Sequence, residues 1–183
     1  MPTLRFCLLM SFGLLARTAN AQPATPAATP KVQPFLFLEG DWQGAGWIQL
    51  GPNQRSEFNQ TETVRRKLGG NLLTIEGLGL DKANAQRTIH NAFATVAFDA
   101  ASNTFRMRAY RADGAYTDAL ATPGTDGHSF VWGFDYPGMG KVRFTIGLDA
   151  QGQWHEVGEF SRDGTQWMKN FEMTLHRVGA AKP

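Results

Sequence analysis

The chain carries a Gly-x-Trp step, Gly40-Asp41-Trp42, followed by about ten short extended segments, each closed by a turn containing Gly, Asn or Asp. This arrangement constrains the fold more than any other feature. In a strand, alternate side chains point to opposite faces, so a half-buried strand reads apolar-polar-apolar. Phe130, Trp132, Phe134 and Tyr136 share one face of a segment, and Val142, Phe144, Ile146 and Leu148 share one face of the next. Phe105, Met107 and Ala109 alternate with Arg106, Arg108 and Tyr110, while Trp167, Phe171, Met173 and Leu175 alternate with polar residues in the last segment. No segment shows a long helical period. The turns Gly51-Pro52-Asn53, Gly69-Gly70-Asn71, Ala112-Asp113-Gly114 and Arg162-Asp163-Gly164 supply residues that accept the positive φ of tight hairpins.

The predicted strands are 42–50, 56–68, 71–79, 88–98, 103–110, 115–121, 128–136, 141–148, 153–161 and 165–178. Strands in meander order remove their exposed edges most simply by closing on themselves. The expected fold is therefore all-β: an antiparallel up-and-down barrel of about ten strands, preceded by a short helical turn at Phe35–Leu38 and plugged by Trp42. Thirteen Phe, five Trp and three Tyr are enough aromatics to fill such a barrel, so an open cavity and a packed interior both stand as expectations.

The ends read differently. Arg5, the apolar run Phe6–Ala16 and Ala19-Asn20-Ala21 have the pattern of an export signal over 1–21. The run is shorter than the roughly 20 residues of a membrane span, so no stable membrane anchor is expected and the protein is expected to be periplasmic or secreted. Residues 22–32, rich in Ala, Pro and Thr, read as a spacer, 33–178 as the barrel and 179–183 as a tail. Cys7, the only cysteine, lies in the signal, which leaves the domain without a disulfide or a thiol nucleophile. Two of the 18 basic residues and none of the 16 acidic ones precede residue 22, so the remainder is formally neutral. Nothing has the form of a nucleic-acid footprint.

Few residues suggest chemistry. His155-Glu156-Val157-Gly158-Glu159 lacks the second His of a zinc-protease helix, and Gly138-Met139-Gly140-Lys141 lacks the first glycine of a phosphate loop. His90, His128, His155 and His176 lie on separate segments without ligand spacing, so neither metal nor cofactor is expected. Polar residues on apolar faces are more informative. Phe58, Gln60, Glu62, Val64, Arg66 and Leu68 share one side of the second strand, and Trp154, Glu156, Gly158 and Phe160 share one side of the ninth. If those sides face inward, Gln60, Glu62, Arg66 and Glu156, together with Trp132, form the candidate ligand site. A structural Glu–Arg network and a catalytic carboxylate pair are the alternatives.

Three stretches carry a family likeness: Phe37–Gly44 (Phe-Leu-Glu-Gly-Asp-Trp-Gln-Gly), Trp154–Gly164, and Phe171–Leu175 with Arg177. Through them the chain resembles a family of secreted bacterial lipocalin-like domains of unknown function, within the calycin superfamily, over about 33–178. The resemblance implies that Gly40, Trp42 and Arg177 close the barrel, the Arg packing on the Trp. Gly40–Gly46 also looks like the opening of nitrobindin-type haem barrels, for which His176 is the positional candidate ligand. The expectation is an exported lipocalin-like barrel, monomeric or weakly dimeric, that binds a small, largely apolar ligand. A packed structural or interaction domain, a haem barrel and a barrel enzyme are the lesser alternatives.

Overall fold

Hairpin turns set the path of the chain. Asn53 (φ 59°) and Asn103 (φ 54°) take the left-handed conformation at two of them. At two others an aspartate side chain accepts backbone N–H groups: Asp113 from Ala115 at 2.9 Å, and Asp149 from Gln151 and Gln153, both at 2.9 Å. The computed structural model describes residues 31–179. A 3-10 turn (Gln33–Leu38) leads into ten strands: β1 (Gly40–Gly51), β2 (Gln54–Lys67), β3 (Leu72–Asp81), β4 (Thr88–Asp99), β5 (Thr104–Arg111), β6 (Tyr116–Pro123), β7 (Ser129–Tyr136), β8 (Gly140–Leu148), β9 (Trp154–Ser161) and β10 (Met168–Gly179). Each pairs antiparallel with its neighbour, and β1 pairs with β10, so the sheet closes into an up-and-down barrel.

The segments 1–21, 22–30 and 180–183 lie outside the described residues. Val32, expected at the end of the spacer, is fully buried, and its N–H donates to Gly70 O at 3.3 Å, so packing begins before residue 33. Gly179, expected in the tail, is the last residue of β10 and faces Asp41 across the ladder. The start of β10 also differs from expectation. Asp163 accepts the N–H groups of Thr165 (2.8 Å) and Gln166 (3.0 Å), which holds that segment in a turn until Met168. The register then shifts between Lys169 and Phe171. That bulge reverses the parity of the preceding residues, so Trp167 leaves the inner face and stacks under Arg143 at 4.1 Å on the outer wall.

The end of the barrel near the described N-terminus is sealed. Val32, Phe35 and Leu38 are fully buried beneath the strands. Phe35 meets Phe105 and Phe130 edge-on, each at 5.0 Å between ring centroids. Trp42 donates its indole N–H to Leu38 O at 2.7 Å and meets Trp154 edge-on at 5.8 Å. Arg177, its ladder partner on β10, lies over the Trp42 ring at 4.1 Å. The same guanidinium donates to Phe37 O at 3.0 Å and to Glu39 O, closing the exit of the 3-10 turn. Gly40 (φ +143°) makes this approach possible, because a Cβ there would collide with the Arg177 guanidinium.

The opposite end is less tightly zipped. The ladder between β6 and β7 spans three pairs, Ala121–Trp132, Thr122–Val131 and Pro123–Phe130. Toward the open end Tyr116–Leu120 remain paired to β5 and Gly133–Tyr136 to β8, but no pairing joins them across the seam.

The sealed end supplies a stability test. Trp42→Ala removes a fully buried indole and should cost about 3–5 kcal/mol in urea denaturation. Arg177→Ala removes a ring contact and two carbonyl partners and should cost about 1–3 kcal/mol. Arg177→Lys should restore less than half of that loss, because an ammonium lacks the planar fork that serves both carbonyls. Full rescue by lysine would show that charge alone matters here.

Candidate functional site

Alternation on β2 turns Phe58, Gln60, Glu62 and Val64 to the inside, and all four are buried. On β9 it turns Trp154 and Glu156 to the inside, both buried. These strands belong to different walls of the barrel and face a common interior. Aromatics pack its lower half solidly. Above them lies a cavity of about 250 Å3, with apolar walls that include Ile75, Met107, Phe144 and Phe171. Four polar side chains interrupt those walls: Glu62, Glu156, His90 and Trp132. Tyr110, Arg111, Thr117 and Tyr136 stand at its mouth, beside the unzipped part of the β6–β7 seam.

The carboxyl groups are held by short-range partners. Gln60 donates its side-chain N–H to Glu62 Oε1 at 2.7 Å, and Trp154 donates its indole N–H to Glu156 Oε2 at 3.2 Å. Gly77 sits opposite Glu62 in the β2–β3 ladder, and a Cβ there would collide with the carboxyl group. Gly79 performs the same service for its neighbours, since a Cβ would lie 2.7 Å from both Gln60 Oε1 and His90 Nδ1. Two glycines on β3 thus make room for a polar wall.

That wall is incompletely bonded. Gln60 Oε1, Glu62 Oε2, His90 Nδ1 and Trp132 Nε1 are buried atoms without a protein partner. A buried polar group left unbonded costs about 1–3 kcal/mol, so four in one region mark a site. Trp132 is fixed by stacking on Phe144 at 4.7 Å, with 13° between the ring planes. His90 is fixed edge-on to Phe58 at 5.1 Å.

Burial governs the protonation of these groups. It pushes Glu62 up from 4.5 to about 7, against the opposing hydrogen bond from Gln60. It pushes Glu156 up to about 8, helped by repulsion from Glu62 and opposed by the Trp154 hydrogen bond. It pushes His90 down to about 4, so the imidazole is neutral. The interior therefore holds two carboxyl groups poised near neutrality and an uncharged imidazole.

The candidate residues fall into separate places. Glu62, Glu156 and Trp132 line the cavity, with Gln60 in the wall behind Glu62. Arg66 is not among them. β2 has passed the sealed end by that point, so the Arg66 side chain is 45% exposed and pairs with Glu39 at 2.8 Å. A Glu–Arg network inside the barrel is thereby ruled out. Gly40, Trp42 and Arg177 lie at the sealed end, away from the cavity lining. His90 is the site residue that pattern reading missed. On β4 the large Phe93 faces out and the small Ala92 and Ala94 face the cavity, which disguises the alternation. Counting back by twos from the buried Val96 would have found it.

A haem does not fit these residues. His176 is exposed on the outer face, where its ring lies 3.2 Å from the Gln43 side-chain nitrogen. The cavity is also below the ~300 Å3 at which sites for drug-sized ligands begin, and a porphyrin is larger still. Among the described residues no group of three or more His, Cys, Asp or Glu side chains is placed to hold a metal ion. A wider groove of about 800 Å3 lies between the β7–β8 hairpin and the turn at Arg162–Asp163, but it is open to solvent and none of the unbonded buried atoms lines it.

No protein family matches the chain. No curated protein matches it either. Solved structures do. Rv2717c from M. tuberculosis superposes with a TM-score of 0.64 at 13% identity, over 82% of this chain and 99% of the other. The S-type phycobiliprotein lyase CPES from Guillardia theta superposes with a TM-score of 0.56 at 10% identity, over 84% of this chain and 99% of the other. At such identities the likeness establishes a shared calycin-like barrel fold.

The buried carboxyls predict a pH dependence. Their folded pKa values lie above the unfolded value, so the native state binds more protons than the unfolded state between about pH 4.5 and 8. His90, kept neutral by burial, acts in the opposite sense below about pH 6.5, but the two carboxyls outweigh it and stability falls as pH rises, most steeply from about pH 6.5 to 8. The carboxylates held low by hydrogen bonds, Asp81, Asp163 and Glu172, titrate below that window. Urea denaturation should show a loss of about 2–5 kcal/mol from pH 5 to pH 8. Glu62→Gln and Glu156→Gln should each flatten the profile. A flat wild-type profile would mean that the carboxyls are solvated.

Proposed function

We propose that this barrel binds a small, largely apolar molecule in its interior and orients it through a polar contact on the β2–β4 wall. The observation that carries this reading is the cavity of about 250 Å3, apolar over most of its surface and bordered by buried, unbonded polar atoms. An apolar enclosure supplies affinity through removal of ligand surface from water, at roughly 25 cal/mol per Å2. A few converging polar groups supply orientation.

The mouth beside the β6–β7 seam offers the path inward. Strands that share no ladder there separate at low cost, so a ligand passes between them without breaking backbone hydrogen bonds. Export, which the pattern of residues 1–21 favours, would place the protein among periplasmic or extracellular small molecules. In this reading the barrel acts as a carrier or sensor without chemistry of its own.

Filling the cavity tests the proposal. Ala94, on the cavity wall and nearly buried, is the site for the substitution. Native mass spectrometry of the protein purified from its own host should show a small-molecule adduct, and Ala94→Leu should lose it while keeping or raising the unfolding temperature. Repeated absence of any adduct from the unsubstituted protein, or an adduct untouched by the substitution, would count against an interior site.

A further inference from the structure

The unbonded atoms on the β2–β4 wall have a chemical bias, whereas Trp132 Nε1 on β7 is a donor. Gln60 Oε1 and Glu62 Oε2 are oxygen acceptors, each on a side chain more than nine-tenths buried. His90 Nδ1 is a third unbonded atom on the same wall, next to Gln60 Oε1 across Gly79. Glu156 on β9, with β10 and β1 between it and β2, adds a second carboxyl. No lysine lines the cavity, and its one cation, Arg111, stands at the mouth with a 59% exposed side chain that pairs with Asp113 at 3.7 Å. Inside, no lysine or arginine stands beside the carboxyls.

We infer that the ligand is a cationic amine: an apolar body small enough for the cavity, carrying one ammonium group that docks on Glu62 beside His90. The inference rests on the interior-binding reading and names its ligand class. An ammonium has up to three N–H donors and no acceptor, which matches the acceptors left over on this wall. Gly77 and Gly79 leave the room in which Glu62, Gln60 and His90 stand side by side. The aromatic rings Phe144 and Phe171, which meet edge-on in the cavity lining, add a surface that favours a cation.

The titratable and charged groups facing the cavity are Glu62 on β2, His90 on β4, Tyr110 and Arg111 on β5, Tyr136 on β7 and Glu156 on β9. Near pH 7 the two glutamates share protons with a preference for the neutral form, and the imidazole is uncharged. An arriving ammonium stabilises the carboxylate, so a carboxyl proton leaves as the ligand enters. The buried positive charge is thereby balanced by one negative charge, and no net charge is added to the interior.

Three probes with one apolar body decide the matter: 2-phenylethylamine, its neutral isostere propylbenzene, and 3-phenylpropanoate, each titrated calorimetrically at pH 7 into the full-length protein. The amine should bind at least about tenfold more tightly than propylbenzene, and the carboxylate should bind most weakly of the three. The amine's apparent enthalpy should differ between phosphate and Tris buffers by an amount that reports release of about half a proton. Glu62→Gln should remove the amine's advantage and the proton release while leaving propylbenzene affinity within about twofold. Glu156→Gln, with circular dichroism to confirm folding, provides the second variant and should reduce the proton release alone. Propylbenzene binding as well as the amine, or the carboxylate binding better, overturns the amine inference and leaves the apolar cavity standing. No binding by any probe overturns the interior-binding reading, and this one with it.

Discussion

Closure of β1 on β10 is the constraint on which the rest of this molecule depends. It brings Trp42 against Arg177, and the guanidinium then serves three partners at once: the indole face and the carbonyls of Phe37 and Glu39. These contacts join the first strand, the last strand and the preceding turn. Without the seal, the aromatic floor formed by Phe35, Phe130 and Trp154 would be open to water. With it, the interior becomes a low-dielectric space in which a carboxyl group behaves differently from one on the surface.

That difference explains the contrast between the two faces of the wall. Outside, charges pair across strands: Arg65 with Asp41 at 2.6 Å, Arg143 with Glu159 at 2.7 Å, and Asp118 with both Arg106 and Arg108. Each such pair is solvated and contributes about 0–1 kcal/mol. Inside, Glu62 and Glu156 find no basic partner, and burial shifts them toward the neutral form instead. Placing two such groups in the interior lowers stability at neutral pH. A barrel selected for stability alone would carry apolar residues there, as it does at Ile75, Met107 and Ile146. The interior is therefore part core and part site.

Much of this was legible in the chain. The alternation Phe130-Trp132-Phe134 and Val142-Phe144-Ile146 names the inner face correctly, and Gln60, Glu62 and Glu156 stand out because they interrupt it. Arg66 belongs to the same alternation but not to the site, because parity says which face a residue joins and not how far along the barrel it lies. Trp167 was misplaced by the bulge after Lys169, a backbone irregularity that leaves no mark in composition. His90 was hidden because β4 turns its small residues inward and Phe93 outward. Small inward residues are what a cavity requires, so the pattern was weakest where the site is.

The amino-acid order alone determined the strand count, the turn positions, the all-β class and the presence of polar groups on apolar faces. These are local matters: side-chain period and turn chemistry depend on residues close together in the chain. Only the tertiary structure decided that Glu62, His90, Trp132 and Glu156, drawn from four strands, meet at one cavity. It also decided that Arg66 does not, and that the β6–β7 ladder stops short. Those outcomes depend on barrel tilt, register and closure, which are set by contacts between residues far apart in sequence.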